Sequence, residues 1–115
     1  MKRENVIVEK SFDFAIKVVE LYKYLAYERK EHVMSKQLLR SGTSIGANVR
    51  EAVVSQSRKE FIAKMNISLK EAHETDYWLA LLYRCGFISH SQSLNGEINE
   101  LIKILTSIIK TSNQQ

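Results

Sequence analysis

The chain has 115 residues, 44% hydrophobic and 26% charged, which suits one globular domain with a single core. Seventeen Lys and Arg against thirteen Asp and Glu give a net charge of +4 and a sequence pI of about 9.2. A single cysteine excludes an intrachain disulfide, and the longest apolar run, Tyr77 to Tyr83, is too short to span a bilayer.

The chain contains no proline and only four glycines, so long helices are favoured throughout. Residues 1–10 read as a lead-in. Met1-Lys2-Arg3 runs into Glu4 and Asn5 rather than an apolar stretch, so no secretory signal is expected and the protein reads as cytoplasmic. The first helix is predicted over 11–28, with Phe12, Ala15, Ile16, Val19, Tyr22 and Ala26 spaced by three and four. Phe14, Val18, Leu21 and Leu25 widen its stripe. The second is predicted over 32–55, where Met34, Leu38, Ser41, Ile45, Asn48 and Ala52 share a face. Gly42 and Gly46 lie four apart beside it, each at a cost of about 1 kcal/mol against alanine. Keeping both implies that another backbone passes close by. A break at Ser41-Gly42-Thr43 would instead divide the helix in two.

The third helix is predicted over 58–85. Ser57 and Glu60 have the spacing of a capping box, and Gly86 is placed to end the helix. Its stripe holds Phe61, Met65, Ser68, Ala72, Thr75, Leu79 and Leu82. The fourth is predicted over 94–111, capped by Ser93 or Asn95, with Ile98, Leu101, Ile102, Leu105, Ile108 and Ile109 inward. Period-two alternation is missing, so no strand competes. Four helices joined by short links predict an all-α fold, an antiparallel up-down four-helix bundle in one domain.

The chemistry is carried by polar residues on those stripes. Asn48 and Glu51 share a face of the second helix. Glu71, Glu74 and Trp78 share one on the third. If the faces meet, they form a structural polar network, with Arg40 or Arg50 in reach of the carboxylates. Such a network fixes helix register. No Glu-x-x-His pair precedes His32, His73 or His90, so no metal site and no cofactor are expected. Cys85, at a helix C-terminus, reads as a small semi-buried packing residue rather than a nucleophile. Arg84 and His90 weakly match the Arg and His spacing of helical HEPN-class ribonucleases, but they straddle a helix end.

Charge is uneven along the chain. Residues 1–70 hold 14 basic and 8 acidic side chains, whereas residues 71–115 hold 3 and 5. A basic half attracts RNA or DNA at long range. Lys17, Lys23, Arg29, Lys30, Lys36, Arg40, Arg50, Arg58 and Lys59 are the candidate phosphate contacts. Tyr22, Tyr24 and Tyr27 spread around the first helix and favour self-association.

The run Arg40-Ser41-Gly42-Thr43-Ser44-Ile45-Gly46-Ala47-Asn48-Val49-Arg50-Glu51 resembles a bacterial family of four-helix-bundle proteins, the 23S rRNA intervening-sequence proteins. The likeness continues through Ser57-Arg58-Lys59-Glu60-Phe61, Ser68-Leu69-Lys70-Glu71-Ala72, Glu74-Thr75 and Tyr77-Trp78. Ala52 departs from a glycine common after the glutamate. The resemblance implies a non-enzymatic bundle, and relatives of this family act as accessory proteins of diversity-generating retroelements. It further implies a homo-oligomer, a pentameric barrel with a basic surface, that binds nucleic acid and a reverse transcriptase. A protein-interaction scaffold and a ribonuclease using Arg84 and His90 stand as the alternatives.

Overall fold

The computed structural model describes residues 2–114, with side chains from Asn5 onward. Met1, and the expectation drawn from the first three side chains, lie outside the described residues. Helix α1 (Lys2–Lys23) continues into a π-helical turn (Tyr24–Glu28). Then come α2 (Met34–Val53), α3 (Arg58–Arg84), a 3-10 turn (Ser91–Ser93) and α4 (Asn95–Asn113). No strand occurs among the described residues.

The helices form an antiparallel up-down bundle measuring 46 × 20 × 19 Å. Its register is read from side-chain pairs whose numbers run in opposite directions. Arg40 meets Glu71 and Glu74, Ser68 meets Ile45, and Lys64 meets Glu51 between α2 and α3. Lys10 meets Glu100 and Lys17 meets Glu97 between α1 and α4. The core between them is almost wholly aliphatic, with Val18, Leu38, Ile45, Val49, Met65, Leu82, Ile98 and Leu105 fully buried.

Helix α1 starts nine residues before the expected position, at Lys2 instead of Ser11. Val6-Ile7-Val8 is a β-branched run, which weakens local helix preference. Burial of Ile7 overrides it, because the extra turns carry that side chain onto the core.

Helix α2 is continuous through Ser41-Gly42-Thr43, so the two-helix alternative does not occur. A β-carbon at Gly42 would lie 2.8 Å from both γ-methyls of Val18, and one at Gly46 would lie 3.3 Å from Ser11 Oγ. The glycines therefore let α1 and α2 pack closely. Between α2 and α3, small polar residues replace large apolar ones. Ser68 Oγ donates to the Ile45 carbonyl (2.9 Å), and the Thr75 and Ser41 hydroxyls share a hydrogen bond at 2.9 Å. Each buried hydroxyl is satisfied, so burial carries little penalty.

Helix α3 opens with Ser57 Oγ accepting from the Glu60 N–H (3.1 Å). It closes at Gly86, whose φ is 82°, with the Phe87 N–H bonded to the Leu82 carbonyl (3.0 Å). The start of α4 corrects the expected cap. Neither Ser93 nor Asn95 caps it with a side chain; Leu94 stands there with φ 54°. Ser93 Oγ donates to the His90 carbonyl instead (2.6 Å), which holds the link in a 3-10 turn.

Candidate nucleic-acid interface

Antiparallel register divides the expected polar network in two. Position 40 of α2 faces 71–74 of α3, so the residues at 48 and 51 face 64–68. Arg40 therefore bonds Glu71 (3.2 and 3.4 Å) and also bonds Glu74. Trp78 donates its indole N–H to Glu74 (3.0 Å). Asn48 is not part of this group and donates to the Ser44 carbonyl (2.9 Å), while Glu51 pairs with Lys64 (2.8 Å). The Arg40 group is half-exposed rather than buried. The guanidinium of Arg40, aided by the Trp78 N–H, holds the Glu74 carboxyl below the usual carboxylate range. It is an ionised clamp across two helices and not a carboxylate poised to hold a proton.

Most of the nine candidate cations already have work within the bundle. Lys17 pairs with Glu97 (3.2 Å). Arg29 donates to the carbonyls of Gly86 (3.1 Å) and Phe87 (2.7 Å), and its guanidinium lies 5.1 Å from the Phe87 ring centre. That side chain fastens the α1–α2 turn to the α3–α4 link. Arg40 is in the clamp, and Arg50 lies 4.9 Å over the Phe12 ring. Arg58 has a partner of its own. Lys23, Lys30, Lys36 and Lys59 are exposed, with no hydrogen-bond or ion-pair partner among the described residues. These four are the cations of the set available to a phosphate.

Arg84 and His90 line one shallow groove of about 270 Å³ with Asp76, Tyr83 and Asn95. The Tyr83 and His90 rings meet edge to face at 6.0 Å. Arg84 is the last residue of α3 and His90 sits in the link, so the pair spans a helix end. Cys85 is exposed, which corrects the semi-buried placement; the chain folds back at Gly86 to bury Ile88, and the thiol stays outside that turn. Among the described residues no three His, Cys, Asp or Glu side chains gather as a metal site, and no helix is long and apolar enough to cross a membrane.

Residues 3–107 match the model of the 23S rRNA-intervening sequence protein family. The chain belongs to that family. A crystal structure of a protein from Bacteroides thetaiotaomicron VPI-5482 superposes with a TM-score of 0.92 at 56% identity, over 94% of this chain and 98% of that one. That relative is described as a protein of unknown function from the S23 ribosomal protein family. No curated protein matches the chain. This chain thus shares its bundle closely with that relative.

One surface was not apparent from the sequence. Phe12 and Ile16 lie one turn apart on α1, 50% and 47% exposed, with half-buried Val8 and Val19 on the same side. Arg50 of α2 lies over Phe12, and Val53 and Val54 continue from it at 43% and 78% exposure. The α1–α2 side of the bundle therefore carries an uncovered apolar face. The inward stripe of α1 was read from both sets of residues together, and periodicity alone did not separate them.

Proposed function

We propose that this chain is a non-enzymatic bundle that associates with copies of itself through the α1–α2 face and binds nucleic acid through phosphate contacts. The observation that carries the reading is the uncovered apolar face around Phe12 and Ile16. Contiguous exposed apolar surface marks an interaction site more often than idle surface. Covering it with identical faces, in a closed oligomer, removes it from water in every copy. The unpaired Lys23, Lys30, Lys36 and Lys59 support a polyanionic partner, since a cation without a carboxylate can neutralise a phosphate and displace the counterions condensed on the nucleic acid. The half-exposed Arg40 clamp and the paired Lys17 stabilise the bundle instead. Among the described residues no group of nucleophile, base and oxyanion donor accompanies these cations, which favours an accessory role, including service to a polymerase such as a reverse transcriptase.

The test is light scattering on purified protein with and without a short RNA or DNA strand, at low and high salt. A defined oligomer that retains the strand at low salt and releases it at high salt supports the reading. An oligomer indifferent to both nucleic acids turns the assignment toward a protein-binding scaffold. A monomer that cleaves the RNA and loses cleavage in His90→Ala would establish the ribonuclease reading.

A further inference from the structure

Helix α3 turns its carboxylates away from one of its faces. Glu60 lies toward Lys64, Glu71 and Glu74 are drawn toward α2 by Arg40, and Asp76 lines the groove beside α4. Between them Lys59, Asn66, Lys70, His73, Tyr77 and Arg84 follow one another at helical spacing, and all are exposed. Lys59, Lys70 and Arg84 have no hydrogen-bond or ion-pair partner among the described residues. At 1.5 Å per residue the three cations lie about 16 and 21 Å apart along the helix. Tyr77 is 59% exposed between them. Its ring meets Trp78 edge to face at 5.1 Å, and the Trp78 indole is itself held by Glu74. The phenol is therefore held in place before any ligand arrives, so ordering it costs little on binding.

We infer that the outer face of α3 is a docking strip for single-stranded nucleic acid, with phosphates on Lys59, Lys70 and Arg84 and an unpaired base stacked on Tyr77. Spaced cations alone would suit any polyanion. The exposed aromatic ring among them selects a strand whose bases are free, because a duplex keeps its base faces stacked on one another. An acidic peptide would find phenol and imidazole where it needs further cations. The ionised Glu74 beside the strip is neutralised by Arg40, so it does not repel a passing phosphate at close range. At the Arg84 end the strip opens on the groove holding Tyr83 and His90, where Tyr83, 44% exposed, offers a second ring. This strip rests on the nucleic-acid reading above. It gathers the contacts on the third helix, sharing only Lys59 with the basic set named from the sequence.

The experiment is fluorescence anisotropy with labelled oligo-U, oligo-dT and a duplex across a salt series. Three variants are compared with the wild type: Lys59→Gln/Lys70→Gln/Arg84→Gln, Tyr77→Ala, and the control Lys23→Gln/Lys30→Gln/Lys36→Gln. Circular dichroism and light scattering confirm that each keeps its fold and assembly. The α3 triple variant is expected to lower the slope of log affinity against log salt by about 2, from three contacts at about 0.7 each. Tyr77→Ala should weaken strand binding about tenfold with the slope unchanged. The control, which removes the same charge, should leave more of the slope than the α3 triple does. If the control loses the slope while the α3 triple and Tyr77→Ala bind as wild type, the strip is wrong and the nucleic-acid reading stands. Tighter binding of the duplex than of either strand would also overturn the strip. If the wild type binds none of the probes, the nucleic-acid reading falls and the strip with it.

Discussion

A methyl group added at Gly42 would meet both γ-methyls of Val18 at 2.8 Å, well inside van der Waals contact. Val18 is fully buried and β-branched, so it has no second χ1 well to turn into. The two helices would have to separate. Overpacking of this kind costs about 1–3 kcal/mol, against about 1 kcal/mol gained from alanine's better helix preference. Gly42→Ala is thus expected to lower stability by up to about 2 kcal/mol, read as a shift in the urea midpoint. Combining it with Val18→Ala should cost less than the two single losses added together. Gly46→Ala makes a contrast. Its nearest neighbours are the Ser11 hydroxyl at 3.3 Å and the Ser11 carbonyl oxygen at 3.4 Å, only slightly closer than ordinary contact. The propensity gain there offsets the crowding, and the midpoint should stay within about 0.5 kcal/mol of wild type. The spacing of the two glycines announced a close helix approach. Which of them is crowded depends on the residue of α1 that faces it, and that is set by register.

The start of α2 shows how an element can be secured by a residue outside it. Val33 offers no side-chain cap, and Glu31 supplies one from the preceding turn. Its carboxylate accepts from the N–H groups of Val33, Met34 and Ser35 at 3.2, 3.1 and 2.7 Å. Burial alone would push the Glu31 carboxyl up. The N–H groups of Ser35, Met34 and Val33, with the Ser35 hydroxyl, outweigh this and hold it below its ordinary value. A carboxyl lower in the folded state stabilises the fold above its unfolded pKa, near 4.3. That stability is lost as pH falls through the folded value. Glu31→Ala should cost about 1 kcal/mol at neutral pH and progressively less as acid is added below about pH 4. A cost that is flat from pH 7 to 3 in denaturant titrations would refute the assignment. No Ser, Thr, Asn or Asp stands directly before Met34, so local sequence does not mark Glu31 as the cap. The helix interiors were legible, since apolar spacing of three and four records burial directly. The ends were less so. The Ser57–Glu60 pair and Gly86 carry local chemistry that can be read from one chain. The early start of α1 depends on Ile7 reaching the core, and the Leu94 cap on a tertiary arrangement that forces a bulky residue to φ 54°. The polar network was read as one group because the faces were identified without their offset. Arg40, Glu71, Glu74 and Trp78 meet, while Asn48 and Glu51 lie about two and three turns further along α2.

At the scale of the molecule, the apolar α1–α2 face and the core can be told apart by thermodynamics. Phe12 and Ile16 are about half exposed in the single chain, so replacing both with serine removes little that holds one bundle together. In the proposed assembly the same side chains would lie between copies, and their loss would remove the apolar area that drives association. When folding is linked to association, the melting temperature rises with protein concentration, because only the folded chain presents the face. Wild-type protein should therefore melt at higher temperature as concentration increases. Phe12→Ser/Ile16→Ser should melt at one temperature at every concentration and should run as a monomer in light scattering. At the lowest concentration its stability should lie within about 1 kcal/mol per site of wild type, the loss expected for half-buried apolar side chains. Arg50 tests the same face from the other helix. Its guanidinium covers the Phe12 ring, so Arg50→Ala strips one side of the apolar patch without touching the core. That variant should weaken association less than the double serine change. Melting that is independent of concentration in the wild type would mean that the face is not buried by a second copy, and would leave it to a different partner.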